Sequence, residues 1–264
     1  MTGMAQNYFT AERIIRLTLS QGFGLIRTQM RFAILIVTTG LMLGCQSVSY
    51  QVQAQAKMQE ANRSYSKAQA DEIAYIRTQM AAQYLQQNQL DNAKRQLEKA
   101  LSANERYAPA YDMMGVLLQT EGSPLNITKA ESYFRQALVL QPLLMKARNN
   151  YGVYLAQLGR YDEALTQFEI AGAALGYEGR IKALENLGVT ALKVGDYPLA
   201  TDTFVRILER DRSNLLAHLE LVDLLIMDQQ WQQAKTLYAE MLTLVAEQDT
   251  AHPRIQQQGA KLSL

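Results

Sequence analysis

Small and bulky residues recur in this chain at a period of 34 to 37 residues, and that period leaves few folds open. Ala81, Gly115, Gly152, Gly188 and Val222 are separated by 34, 37, 36 and 34 residues, and Ala93, Ala130, Ala164, Ala200 and Ala234 by 37, 34, 36 and 34. Four residues after each of those alanines stands Leu97, Phe134, Phe168, Phe204 or Tyr238. That spacing sets each alanine and its bulky neighbour on one stripe of a helix. Tyr84, Leu118, Leu155, Ala191 and Leu225, three residues past the first small position, form the matching stripe of a preceding helix. A small residue on one helix lets the partner's backbone approach, and the larger side chain fills the space beside it. Leu158-Gly159-Arg160 and Val194-Gly195-Asp196 place glycine where the first helix has to stop. Pro109 and Pro142 fall between periods, where helices tolerate proline. Two helices per period, stacked in sequence, make an all-α solenoid.

The layout resembles the tetratricopeptide repeat, with five helix pairs at about 74–107, 108–144, 145–180, 181–214 and 215–248. Residues 249–264 are expected as a tail or as a helix that covers the last apolar face. The departures from the repeat are specific. Arg77, Tyr111, Arg148, Leu184 and His218 stand where the repeat often has tryptophan. The fifth repeat has Val222 and Gln229 where glycine is common, and "GSPLNIT" lengthens the turn inside the second.

Ahead of the repeats, Phe32–Leu43 carries no charge, follows Arg27 and Arg31, and ends at Leu43-Gly44-Cys45, the only cysteine of the chain. The run is too short to cross a bilayer, which needs about 20 apolar residues. A basic flank, a short apolar core and a small residue before a cleavage point describe a secretory signal. The end of the run resembles the bacterial lipobox, which implies acylation of Cys45 and a signal sequence over residues 1–44. Starting at Met30 gives a compact signal, so residues 1–29 are expected to be an over-long gene start or, at most, a long basic region ahead of the apolar core. Residues 45–73 then read as the lipidated cysteine and a polar tether rich in Gln, Ser, Ala and Lys, in which a short helix is possible.

The chemistry of catalysis is hard to assemble from these residues. Lys and Arg number 26 against 25 Asp and Glu, so no basic excess points to nucleic acid. No phosphate loop, metal-ligand spacing or nucleophile motif occurs, and His218 and His252 are the only histidines. Asp162 and Glu163 fall at the start of a second helix, where acids favour the dipole. His218 is read as a packing residue and the repeated aromatics as core. No enzyme activity, cofactor, metal or small-molecule substrate is expected. What remains is binding of a protein segment on the wall lined by the first helices. Tyr75, Thr78, Ala82, Leu85 and Gln86 of the first repeat are expected to form that wall, with Asn149 further along offering an amide. Thr78 and Ala82 stand where the repeat's carboxylate clamp carries Lys and Asn, which argues against that clamp.

"ARNNYGVYLAQLGRYDEAL" (147–165) followed by "ALENLGVTALKVGDYPLA" (183–200) resembles the type IV pilus biogenesis lipoproteins called PilW or PilF, with Asn149–Gly152 and Leu184–Gly188 as the characteristic runs. The resemblance implies a pilotin, lipid-anchored through Cys45 in the outer membrane and facing the periplasm. Its partners would be secretin subunits of the pilus, whose localisation and multimerisation it promotes. Gln46 after the cysteine suits outer-membrane sorting. The alternative in the same place is a lipoprotein scaffold of another envelope complex, for outer-membrane insertion or peptidoglycan.

Overall fold

A computed structural model describes residues 52–244 and 252–263. The signal, Cys45 and the proposed gene start lie outside the described residues. The chain divides into two units at residue 68. In the first, residues 52–68 are helical and exposed, so the described part of the expected polar tether is a helix. Among the described residues no helix is long and apolar enough to cross a membrane.

The second unit is all-helical. It opens with α1 (69–86), followed by α2 (Leu90–Ala103), α3 (Ala108–Glu121), α4 (Pro124–Leu140), α5 (Met145–Gln157) and α6 (Tyr161–Ala173). It continues with α7 (Arg180–Val194), α8 (Tyr197–Leu208), α9 (Leu215–Met227), α10 (Trp231–Leu244) and α11 (Pro253–Leu262). Odd and even helices pair in order, α3 also touches α5, and α5 touches α7. This is the tetratricopeptide-repeat solenoid.

The periodic residues explain the pairing. A Cβ added to Gly115, Gly152 or Gly188 would stand 2.8, 2.5 or 2.7 Å from the ring of Phe134, Phe168 or Phe204. Each glycine therefore receives the aromatic ring of its own repeat's second helix, and the three rings are fully buried. Five turns join the helices of a pair, and each has one residue with positive φ: Asn88, Gly122, Gly159, Gly195 and Gln229. In four of them the next residue closes the helix end, Gln89, Arg160, Asp196 and Gln230 donating to the carbonyls of Tyr84, Leu155, Ala191 and Leu225. The second repeat differs because its longer turn brings in Ser123, whose hydroxyl caps α4 by accepting from Asn126 N at 3.3 Å.

The column that lacks tryptophan has another use. Tyr111 Oη, Arg148 Nε and His218 Nε2 each donate to the carbonyl six residues earlier, on Glu105, Pro142 and Arg212, at 2.9, 3.0 and 2.8 Å. These bonds hold the turn between one repeat and the next. Arg77 and Arg148 also reach Gln96 and Gln167 across their pairs, both at 3.0 Å. His218 is buried in this role, and its Nδ1 has no hydrogen-bond partner among the described residues.

At the far end α11 packs on α9 and α10. Ile255, Gln258 and Leu262 are its buried residues, and Gln258 Nε2 donates to Leu219 O at 2.8 Å. Tyr238 Oη donates to Ile255 O at 3.1 Å, a close approach made possible by Gly259, where a Cβ would stand 2.5 Å from the Tyr238 hydroxyl. Arg254 closes the end by bonding Glu220 at 2.6 and 3.1 Å and Asp223 at 2.6 Å.

Candidate partner-binding wall

The first helices α1, α3, α5, α7 and α9 lie side by side, and positions repeated along them form rows across the wall. Three residues before each small residue comes the column Thr78, Asp112, Asn149, Glu185 and Leu219. Asn150 Nδ2 on α5 reaches back to both carboxylate oxygens of Asp112 on α3, at 3.1 and 3.0 Å. Its neighbour Asn149 reaches forward, its Oδ1 accepting from Asn186 Nδ2 on α7 at 2.9 Å. Glu185 then accepts from Asn214, the N-cap of α9, at 2.9 Å. Consecutive repeats are thus laced by amides and carboxylates along one row.

One residue after the small position of the first four repeats stands Ala82, Val116, Val153 or Val189, half-buried and packed on the core, and in the fifth stands Asp223, paired with Arg254. A turn further along, Gln119 Nε2 donates to Gln157 Oε1 at 2.6 Å. The wall therefore has an amide row, a valine row and a glutamine row. Such a surface offers half-buried apolar side chains with glutamine amides beside them, while Asp112 and Asn149 of the amide row are buried and bonded to the neighbouring repeats.

The buried charge at the wall is Asp112, only 1 % exposed. Burial raises its pKa to about 6, against the opposing effects of the Asn150 hydrogen bond and the Lys146 charge. Behind the wall, at the joint of the second and third repeats, Phe134, Tyr151 and Tyr154 cluster with ring centroids 5.5 to 6.1 Å apart. Tyr151 Oη donates to Glu131 at 2.9 Å, and Arg160 bonds both Glu131 and Glu163. Burial pushes the Glu131 carboxyl up, but hydrogen bonds from Arg135, Arg160 and Tyr151 together hold it below its ordinary range. The whole Asn149–Gly152 run is thereby accounted for: one amide backward, one forward, a ring into the aromatic joint, and a glycine under Phe168.

The expected site residues divide. Tyr75 is 53 % exposed, Gln86 is exposed, and Ala82 and Leu85 are half-buried, all on α1. Thr78 is a correction: it is buried, and its hydroxyl donates to Ala74 O at 2.8 Å, so it takes no part in the wall surface. Asn149 is buried too, with its carbonyl oxygen occupied by Asn186. Asp112, Asn150, Asn186, Gln119 and Gln157 were not anticipated from sequence. The column spacing of 34, 37 and 36 that marks the glycines runs through Thr78, Asp112, Asn149 and Glu185 as well, and was the available signal. Cys45 lies outside the described residues.

The tetratricopeptide-repeat family matches residues 74–107 and 126–175. The type IV pilus assembly protein PilF of Pseudomonas aeruginosa is 32% identical over 165 residues, which is 62% of this chain and 64% of that protein. This chain thus spans somewhat under two thirds of that relative's length. The solved P. aeruginosa PilF superposes with a TM-score of 0.61 at 25% identity, covering 73% of this chain and 90% of that one. PilW, described as a widely conserved type IV pilus biogenesis factor, superposes with a TM-score of 0.57 at 23% identity, covering 73% and 93%.

Proposed function

The chain is a tetratricopeptide-repeat protein related to type IV pilus proteins, and from that premise we propose that it is an outer-membrane lipoprotein that binds secretin subunits and promotes their localisation and multimerisation. The observation that carries this reading is the wall of first helices. Its half-buried valine row, with glutamine amides beside it, suits the apolar side chains of a protein segment, and the exposed Tyr75 with the half-buried Leu85 extends it onto the first repeat. The relationship to PilF supplies the pilus as the setting.

In this reading Cys45 carries the acyl chains, and the periplasm is where the wall meets its partner. Each buried CH₂ contributes about 0.8 kcal/mol, so one chain holds a protein marginally and several hold it firmly. Mass spectrometry of the mature N-terminus checks the modification, and Cys45→Ser is expected to leave a precursor away from the outer membrane. A chain beginning at Met30 is expected to be exported as well as the full one.

The deciding experiment is a pull-down from detergent-solubilised membranes with the chain as bait. Recovery of a secretin supports the proposal; recovery of insertion or cell-wall proteins in its place moves the chain to the alternative scaffold role. Changing Tyr75 and Leu85 together to glutamate is expected to abolish heat-resistant secretin multimers, with circular dichroism showing the helices intact. Normal multimers in the folded variant would remove the first repeat from the site.

A further inference from the structure

We propose that the groove between α8 and α10 is a second docking site, which takes a protein segment presenting an aromatic side chain with basic residues beside it. Thr201, Val205 and Leu208 of α8 form one side of the groove, and Thr236 and Leu237 of α10 the other. The floor is the stripe His218, Leu221 and Leu225 of α9, the helix on which both walls pack. The cavity measures about 690 Å³, within the range of sites that bury a bound group.

The third repeat shows what these columns can hold. Glu131, Arg135 and Tyr151 stand 70 residues, two periods, before Thr201, Val205 and Leu221. There the tyrosine ring stacks on Phe134 at 5.8 Å, and its hydroxyl donates to Glu131 and accepts from Arg135, both on α4. Over α9 the same columns carry a threonine, a valine and a leucine, which supply neither the ring nor the charged pair, and Val205 is left 43 % exposed. Gln167, which accepts from Arg148 across the third pair, is matched 70 residues on by Leu237, so this wall is apolar as well. An aromatic ring from a partner would occupy the columns that Tyr151 occupies in the third repeat, with most of its area removed from water.

Two features favour a protein segment over a lone small molecule. A second cavity of about 550 Å³ shares Thr201, Leu221 and Leu225 with the first and runs on to the exposed Tyr197 and Met227. The combined groove is longer than one ring requires, so chain beside the anchor lies in it too. Its charge is also one-sided: Asp202, Glu209, Asp228 and Glu240 line it, against Arg212 alone. Lysine or arginine next to the aromatic residue would meet these carboxylates, which sets the partner's sign and quickens encounter. The groove is built on second helices, so it goes beyond the wall of first helices and does not depend on what that wall binds.

The test is a peptide selection on the full chain. A phage-displayed dodecapeptide library is selected on the native protein and counter-selected on a variant carrying Thr201→Glu, Val205→Arg and Leu221→Tyr, which fills the groove as the third repeat does. The surviving peptides are expected to share an aromatic residue flanked by lysine or arginine. Synthetic copies should lose at least about tenfold in affinity when that residue becomes alanine, and about threefold between about 50 and 300 mM salt. Val205→Arg alone, a change at an exposed position, is expected to weaken them at least about fivefold with the circular dichroism melt unchanged. Peptides that bind the native chain and this single variant equally overturn the site. So do groove-dependent peptides without an aromatic anchor, and a selection from which no groove-dependent peptide emerges. Sedimentation velocity tests the other occupant: a dimer of the native chain that Val205→Arg dissolves would give the groove to a second copy and overturn the partner segment.

Discussion

In the second, third and fourth repeats a glycine lies under a phenylalanine ring; in the first the same columns hold Ala81 and Leu97, and in the fifth Val222 and Tyr238. The turns divide in the same way. Glycine takes the left-handed position at 122, 159 and 195, while Asn88 and Gln229 take it in the end repeats. The interior repeats have neighbours on both sides and are locked by rings that leave no room for a Cβ. The end repeats have one repeat neighbour each, and the fifth diverts its aromatic to hold α11. Tyr238 is only half-buried and spends its hydroxyl on Ile255 O. A repeat array thus concentrates close packing where stacking is two-sided and uses polar contacts where it stops.

The sharpest way to break this contrast is Gly152→Leu. The ring of Phe168 already stands 2.5 Å from where a Cβ would be, so overpacking should cost about 3 kcal/mol, seen as a fall in Tm of about 6–12 °C. An unchanged melt would mean that Phe168 can swing aside as Tyr238 does, and the interior would lose its distinction. Next comes Asp112, the charge that interior stacking strands. Its folded pKa of about 6 lies above the ordinary carboxylate value of 3.8, so its protonation favours the folded state. The resulting stabilisation is complete below the unfolded pKa and is lost as pH rises through about 6. Asp112→Asn is therefore expected to gain on the native chain by about 2–3 kcal/mol between pH 4 and pH 8. Chemical denaturation at the two pH values measures the difference, and parallel curves would show that the carboxylate is not strained.

Smaller effects belong to the ends. Arg254→Ala removes the bonds to Glu220 and Asp223, at an expected cost of about 1–2 kcal/mol confined to α11. Hydrogen exchange should show the amides of 253–262 losing protection while those of α5 and α6 keep theirs. Loss of protection throughout would mean that the end and the interior unfold together. The smallest test is a reciprocal exchange of turn residues. Gly159→Gln should cost about 1 kcal/mol, and Gln229→Gly should gain about half that, because only glycine holds a positive φ without strain. Equal and negligible changes in both melts would show that the turns do not separate the two classes.

The pairing of helices was legible because small and bulky columns keep their period in the sequence, and the glycine–phenylalanine contacts follow from Gly152 and Phe168 at their spacing. The amide row was not legible. Asn150 meets Asp112 at a separation of 38 residues and Asn149 meets Asn186 at 37. Neither distance follows from one helix, since both depend on how successive first helices slide past each other. Thr78 shows the same limit from the other side. It lies one turn beyond the exposed Tyr75 on the same helix, yet a threonine hydroxyl can satisfy itself on the carbonyl four residues back and disappear from the surface. The tryptophan column was visible as a departure, but its use in tethering Glu105, Pro142 and Arg212 needed the turn geometry.

The adjacent asparagines of the third repeat have a bearing on how such an array can change over generations. Asn150 looks toward the repeat before and Asn149 toward the repeat after, and the group that Asn149 meets is itself an asparagine. If residues 145–180 were duplicated in tandem, Asn150 of the copy would face Asn149 of the original, amide to amide, as Asn186 does now. The first and last joints of the enlarged chain would keep their present partners, Asp112 and Asn186. The fourth repeat carries a match of its own kind, since Asn186 of a copy would face Glu185 as Asn150 now faces Asp112, whereas the second offers only Met113 to meet its carboxylate. The middle of the array is thus the place where it can be lengthened by copying, while both specialised ends are inherited untouched.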